Sequence, residues 1–131
     1  MTGRKLVMKT ILVVEDEAMI RMLIAEVLRD EGYRVIEAAN GDEGKDVLLT
    51  GESVDLIVTD VRMPGAIDGM ELTELAKRMV PDRPVVVVSG HLPSAAANKA
   101  DEFIAKPYLA STFLNVVSRL LGAPTPQPLH P

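Results

Sequence analysis

Ile11-Leu12-Val13-Val14-Glu15-Asp16 sets four bulky apolar residues directly against two acids. A short, unbroken apolar run marks a strand buried on both faces, as in a parallel sheet covered by helices. The flanking sequence supplies the rest of that pattern. Ile20, Leu23, Ile24, Val27 and Leu28 recur at the spacing of one helical face, and Gly32 stands where such a helix would stop. Tyr33 to Ala38 reads as a second strand. Asn40 is placed to cap a helix that runs through Val47 and Leu48 to Gly51.

The alternation then repeats. Leu56-Ile57-Val58 is a third buried strand, and Met70 to Met79 a helix halted before Pro81. Val85 to Val88 is a fourth strand and Phe103-Ile104-Ala105 a short fifth. Phe113, Leu114, Val117, Leu120 and Leu121 line one side of a last helix. Strands alternating with helices predict an α/β domain, doubly wound around a parallel sheet. Residues 10–121 form that domain. Residues 1–9 are a basic extension, and residues 122–131, with four prolines, a disordered tail.

Composition excludes several functions. The 131 residues suit one core. With no cysteine, neither a disulfide nor a thiolate metal site is available. A net charge of −5 argues against nucleic acid as a partner. No apolar run approaches the roughly 18 residues of a membrane span, so a cytoplasmic location is expected.

The polar residues that interrupt the strands carry the chemistry. Glu15 and Asp16 follow strand one, Asp60 follows strand three, Ser89 follows strand four, and Lys106 follows strand five. Singly, each has a plain structural explanation as a helix cap, a turn residue or an exposed strand end. Together they occupy the carboxyl edge of the sheet, where open α/β folds bind ligands. In the order 2-1-3-4-5, one of the two common doubly wound orders, strands one and three are neighbours and the three carboxylates converge. Three such charges repel unless a cation joins them. Mg²⁺ suits one or two carboxylates plus phosphate oxygens. A carboxylate can act as nucleophile toward phosphorus, with lysine and hydroxyl groups on the phosphoryl oxygens.

Val13-Val14-Glu15-Asp16-Glu17, Asp60-Val61-Arg62-Met63-Pro64-Gly65 with Asp68-Gly69, Val88-Ser89-Gly90 and Phe103-Ile104-Ala105-Lys106-Pro107 resemble the receiver domains of two-component response regulators. The resemblance covers residues 10–121 and implies a flavodoxin-like fold. It implies that Asp60 is the phospho-acceptor, with Ser89 and Lys106 on the phosphoryl oxygens. It further implies that Asp16, Asp60 and the main-chain carbonyl of Arg62 ligate Mg²⁺, with Glu15 acting through water. Lys106–Pro107 is expected to be cis. Ser89 and Phe103 are the implied switch pair. Arg62 and His91, each two residues past a site residue, are expected to tune the lifetime of the phosphoryl group. The implied partners are a sensor histidine kinase or histidine phosphotransfer protein and a downstream protein, with the chain a monomer or a weak, phosphorylation-dependent dimer.

Two stretches depart from the family pattern. The loop Pro64 to Gly69 is one residue longer than the commonest form. Only about a dozen residues separate strands four and five, near the minimum for a crossover. A short, mobile fourth helix over 93–99 is therefore expected. Competing readings are a binding module that is never phosphorylated, a receiver excised from a hybrid kinase, and a Mg²⁺-dependent phosphatase of another α/β family. The last would need a second acid two residues after the nucleophile, where Arg62 stands. The chain leaves no residues for a DNA-binding domain.

Overall fold

A computed structural model describes residues 8–90 and 99–122. In chain order the elements are β1 (Thr10–Val14), α1 (Ala18–Asp30), β2 (Arg34–Ala38), α2 (Gly41–Leu49), β3 (Leu56–Asp60), α3 (Gly69–Met79), β4 (Val85–Ser89), β5 (Glu102–Ala105) and α4 (Ala110–Leu121). The strands form one parallel sheet in the order β2-β1-β3-β4-β5. The fold class and strand order expected from the sequence are both present.

Side-chain alternation along β1 explains its continuous apolar run. Ile11 and Val13 join Ile24, Ala25 and Leu28 of α1 and Phe113 and Val117 of α4 on one face. Leu12 and Val14 meet Leu48 of α2 and Leu72 and Ala76 of α3 on the other. Ile11, Leu12 and Val13 have no exposed surface. Burying each such side chain contributes about 1.5–3 kcal/mol.

Caps fix where the helices begin. Asn40 Oδ1 accepts from the Glu43 amide at 2.9 Å, as expected. Asp68 accepts from the Met70 and Glu71 amides, while the Glu71 carboxylate accepts from the Asp68 amide. This reciprocal box starts α3 one residue earlier than the apolar pattern indicates, and such a cap contributes about 1 kcal/mol.

Two expectations need correction. Strand two begins at Arg34, because the Tyr33 amide donates to Leu28 O at the end of α1. Leu23 is 60% exposed, although it fits the apolar stripe. The buried face of α1 instead runs through Ile24, Ala25 and Leu28, leaving Leu23 beside the exposed Met19 and Met22. All but the last residue of the expected helix over 93–99, together with His91, most of the N-terminal extension and nearly all of the tail, lie outside the described residues. None of the described helices is long and apolar enough to cross a membrane.

Candidate functional site

The carboxyl ends of β1, β3, β4 and β5 bring the expected polar residues together. Pairing of β1 with β3 sets Val14 opposite Thr59. The acids just past β1 therefore meet the acid that ends β3. Glu15, Asp16 and Asp60 each offer a carboxylate oxygen, and these oxygens lie within 4.8 Å of one another.

Glu15 is the most enclosed of the three, at 3% exposure. Its amide donates to Ala38 O on β2 at 3.1 Å. Its Oε2 accepts from the Glu17 amide at 3.0 Å. Glu17 is the N-cap of α1 but makes no side-chain cap bond, so the acids past β1 do not cap the helix in the usual sense. Burial raises the Glu15 pKa to about 7, and the negative charge of Asp60 adds to this. The Glu17 amide and the Lys106 ammonium oppose the rise without cancelling it.

Asp60 Oδ2 accepts from Lys106 Nζ at 2.7 Å, and Oδ1 from the Val61 amide at 2.6 Å. Lys106 Nζ also stands 3.6 Å from Glu15 Oε1. Burial works against the lysine charge, but the hydrogen bond to Asp60 and the charges of Asp60 and Glu15 outweigh it, so the pKa is raised. The Lys106 backbone is held by its amide, which donates to Ser89 O at 2.8 Å. The Lys106–Pro107 bond is cis, as expected. Ser89 closes β4 and is 3% exposed. Phe103 is half-buried against the α2–α3 side of the sheet. Arg62 is exposed on the loop after β3, while Met63 turns into the core.

Four further residues shape this edge without having been singled out for it in the sequence. A Cβ on Gly69 would lie 1.8 Å from Asp60 O, so only glycine lets α3 approach β3 this closely. Asp42 Oδ2 accepts from the Ala66 amide at 3.1 Å and pins the lengthened loop, where Gly65 has φ +112°. Arg21 Nη1 donates to Glu15 O at 2.8 Å. Tyr108 stacks at a tilt on Phe113, with centroids 5.7 Å apart. Gly69 stood within a recognised motif, but its closeness to Asp60 has no one-dimensional signature.

The donor set fits a hard divalent cation. It is all oxygen, clustered within reach of one ion, and one member is buried at a cost in charge that a cation would relieve.

Fold and site together define a doubly wound α/β domain carrying a carboxylate triad and a lysine at the carboxyl edge of its sheet. The chain belongs to the response regulator receiver domain family, whose model matches residues 11–118. It is 36% identical over 117 residues to the nitrogen assimilation regulatory protein NtrX of Azorhizobium caulinodans, covering 85% of this chain and 26% of that protein. It is 37% identical over 119 residues to the sensor kinase CckA of Brucella abortus, covering 86% of this chain and 12% of that kinase. The chain thus spans only a fraction of these relatives' length. Among solved structures it resembles the response regulator TrrA of Thermotoga maritima in complex with Mg²⁺-BeF, with a TM-score of 0.81 and 32% identity, covering 87% of this chain and all of that one. Receiver domains of this family bind Mg²⁺, and the acidic triad is where this chain would do so.

Proposed function

We propose that this receiver domain accepts a phosphoryl group on Asp60 from a histidine kinase or histidine phosphotransfer protein and thereby changes a protein-binding surface. The observation that carries this reading is the 2.7 Å contact between Lys106 Nζ and Asp60 Oδ2 inside the carboxylate triad. An ammonium there is placed to follow charge from the carboxylate to an incoming phosphoryl oxygen.

In the transfer, an Asp60 oxygen forms a bond to phosphorus as the bond from phosphorus to the donor nitrogen breaks. The donor imidazole leaves with the electron pair and takes a proton from water. Asp16, Asp60 and the main-chain carbonyl of Arg62, with Glu15 through water, would hold Mg²⁺, which supplies positive charge against the phosphoryl oxygens. Lys106 moves its hydrogen bond from Asp60 to a phosphoryl oxygen, and the Ser89 hydroxyl donates to another. Phe103 turns with Ser89 and alters the surface that a downstream protein reads. The exposed Met19, Met22 and Leu23 on α1 support a protein donor that docks through a helix.

On this reading the domain works in the cytoplasm, as a monomer or a weak dimer when phosphorylated. It turns over no metabolite and catalyses only its own phosphorylation and dephosphorylation. The likeness to part of CckA favours a second context, a receiver within a hybrid kinase, with the same chemistry. The test is incubation with Mg²⁺ and acetyl phosphate. The wild type should gain one phosphoryl group, and Asp60→Asn should gain none. A wild type that stays unmodified with Mg²⁺ present would contradict the reading.

A further inference from the structure

We propose that Arg21 is a positioning residue that sets how Glu15 and Asp16 present their carboxylates to a divalent cation; this rests on the reading of the triad as the Mg²⁺ site. Arg21 lies on the first turn of α1, with its side chain only 18% exposed. Its guanidinium spans two acceptors, one just past the end of β1 and one on β2. Nη1 donates to the main-chain oxygen of Glu15 at 2.8 Å, and Nε to Glu37 Oε1 on β2 at 3.4 Å.

The consequence lies in the backbone. The Glu15 amide is already fixed by Ala38 O, at 3.1 Å. Arg21 fixes the carbonyl of the same residue. That carbonyl belongs to the peptide plane joining Glu15 to Asp16. With the amide of Glu15 held from β2 and its carbonyl held from α1 by Arg21, the direction in which the chain leaves β1 is set, and with it the path of Asp16. The rigid fork of a guanidinium suits this task, since it holds two acceptors at a fixed separation. Residues outside the ligand set that orient metal ligands commonly govern affinity by about 10–100-fold when removed.

Arg29 is a comparison within the same network, although its side chain is 50% exposed. It too binds Glu37, at 3.2 Å, and it donates to Val35 O on β2, also at 3.2 Å. None of its described hydrogen bonds goes to Glu15. If the network served only to staple α1 to β2, removing either arginine would lower Mg²⁺ affinity only as far as it lowered stability.

The test compares Arg21→Met, Arg21→Lys and Arg29→Met with the wild type. Methionine keeps an apolar stem for packing. Lysine keeps a cation against Glu37, which protects folding, but offers no fork. Direct Mg²⁺ titration by calorimetry is read beside thermal unfolding in a chelator. Arg21→Met should bind Mg²⁺ about tenfold more weakly, and Arg21→Lys should fall between it and the wild type. Arg29→Met should bind within twofold of the wild type, even where its unfolding temperature drops as far. Phosphorylation of Arg21→Met by acetyl phosphate should be slow at low Mg²⁺ and recover at saturating Mg²⁺. Wild-type affinity in both Arg21 variants, or an equal loss in Arg29→Met, would overturn the inference and leave the site reading intact. A wild type that binds no Mg²⁺ would overturn the site reading, and the inference with it.

Discussion

The position that a Cβ on Gly69 would occupy lies 1.8 Å from the main-chain oxygen of Asp60. The first residue of α3 is thus pressed against the last residue of β3. The Gly69 amide, donating to Val61 O at 2.9 Å, holds the approach. Because the obstacle is backbone, an added methyl cannot be absorbed by a side-chain rotation. Gly69→Ala should destabilise the domain by about 2–3 kcal/mol, at the upper end of ordinary overpacking. Urea unfolding would show this as a lower midpoint with an unchanged slope. Mg²⁺ affinity should fall as well, because the shift moves Asp60.

Lys106 stands as the counter-charge that the carboxylates share. Its removal should have opposite effects on metal and on phosphate. Lys106→Met should bind Mg²⁺ several-fold more tightly, since a competing cation is gone. Its phosphorylation by acetyl phosphate should slow by on the order of 10²-fold, the usual loss for one oriented donor to a reacting oxygen. A titration and a single-turnover rate on the same preparation check both signs.

The raised Glu15 pKa gives the metal-free protein a pH signature. The folded value is about 7, against 4.5 for the ordinary carboxyl. Between those values the folded state holds a proton that the unfolded state has lost, so stability falls as pH rises through the window. Wild type in a chelator should lose thermal stability from about pH 4.5 to about pH 7, relative to Glu15→Gln. Saturating Mg²⁺ should erase the difference. Binding of Mg²⁺ near pH 6 should release about one proton, measurable by calorimetry in buffers of different ionisation enthalpy.

Arg62 is exposed two residues past Asp60. A guanidinium there can fold over an acyl phosphate and shield it from water. Arg62→Ala should shorten the phosphoryl lifetime a few-fold while leaving Mg²⁺ affinity nearly unchanged. Decay of phosphorylated protein after donor removal gives the comparison.

Much of the domain was legible because its strands are buried on both faces. The runs Ile11 to Val14 and Val85 to Val88 announce themselves without context, and Asn40 caps as its residue type suggests. The site was legible as residue types at strand ends. What failed was periodicity at Leu23, which fits a stripe that tertiary packing rotates away from. Tyr33 looked like a strand residue, but its amide serves the end of α1. The Asp68–Glu71 capping box did have a local signal, an acid followed three positions later by Glu. The partners of Arg21, Asp42 and Gly69 lie on other elements, so their roles appear only once the chain is folded.

A phosphoryl group on Asp60 can be located chemically. Treating the acetyl-phosphate-labelled, Mg²⁺-loaded protein with borohydride reduces an aspartyl phosphate to homoserine, which peptide mass spectrometry can place. Homoserine at position 60 alone, absent when Mg²⁺ is chelated, is the predicted result. Reduction at another acid, or none in protein shown to bind Mg²⁺, would contradict the account.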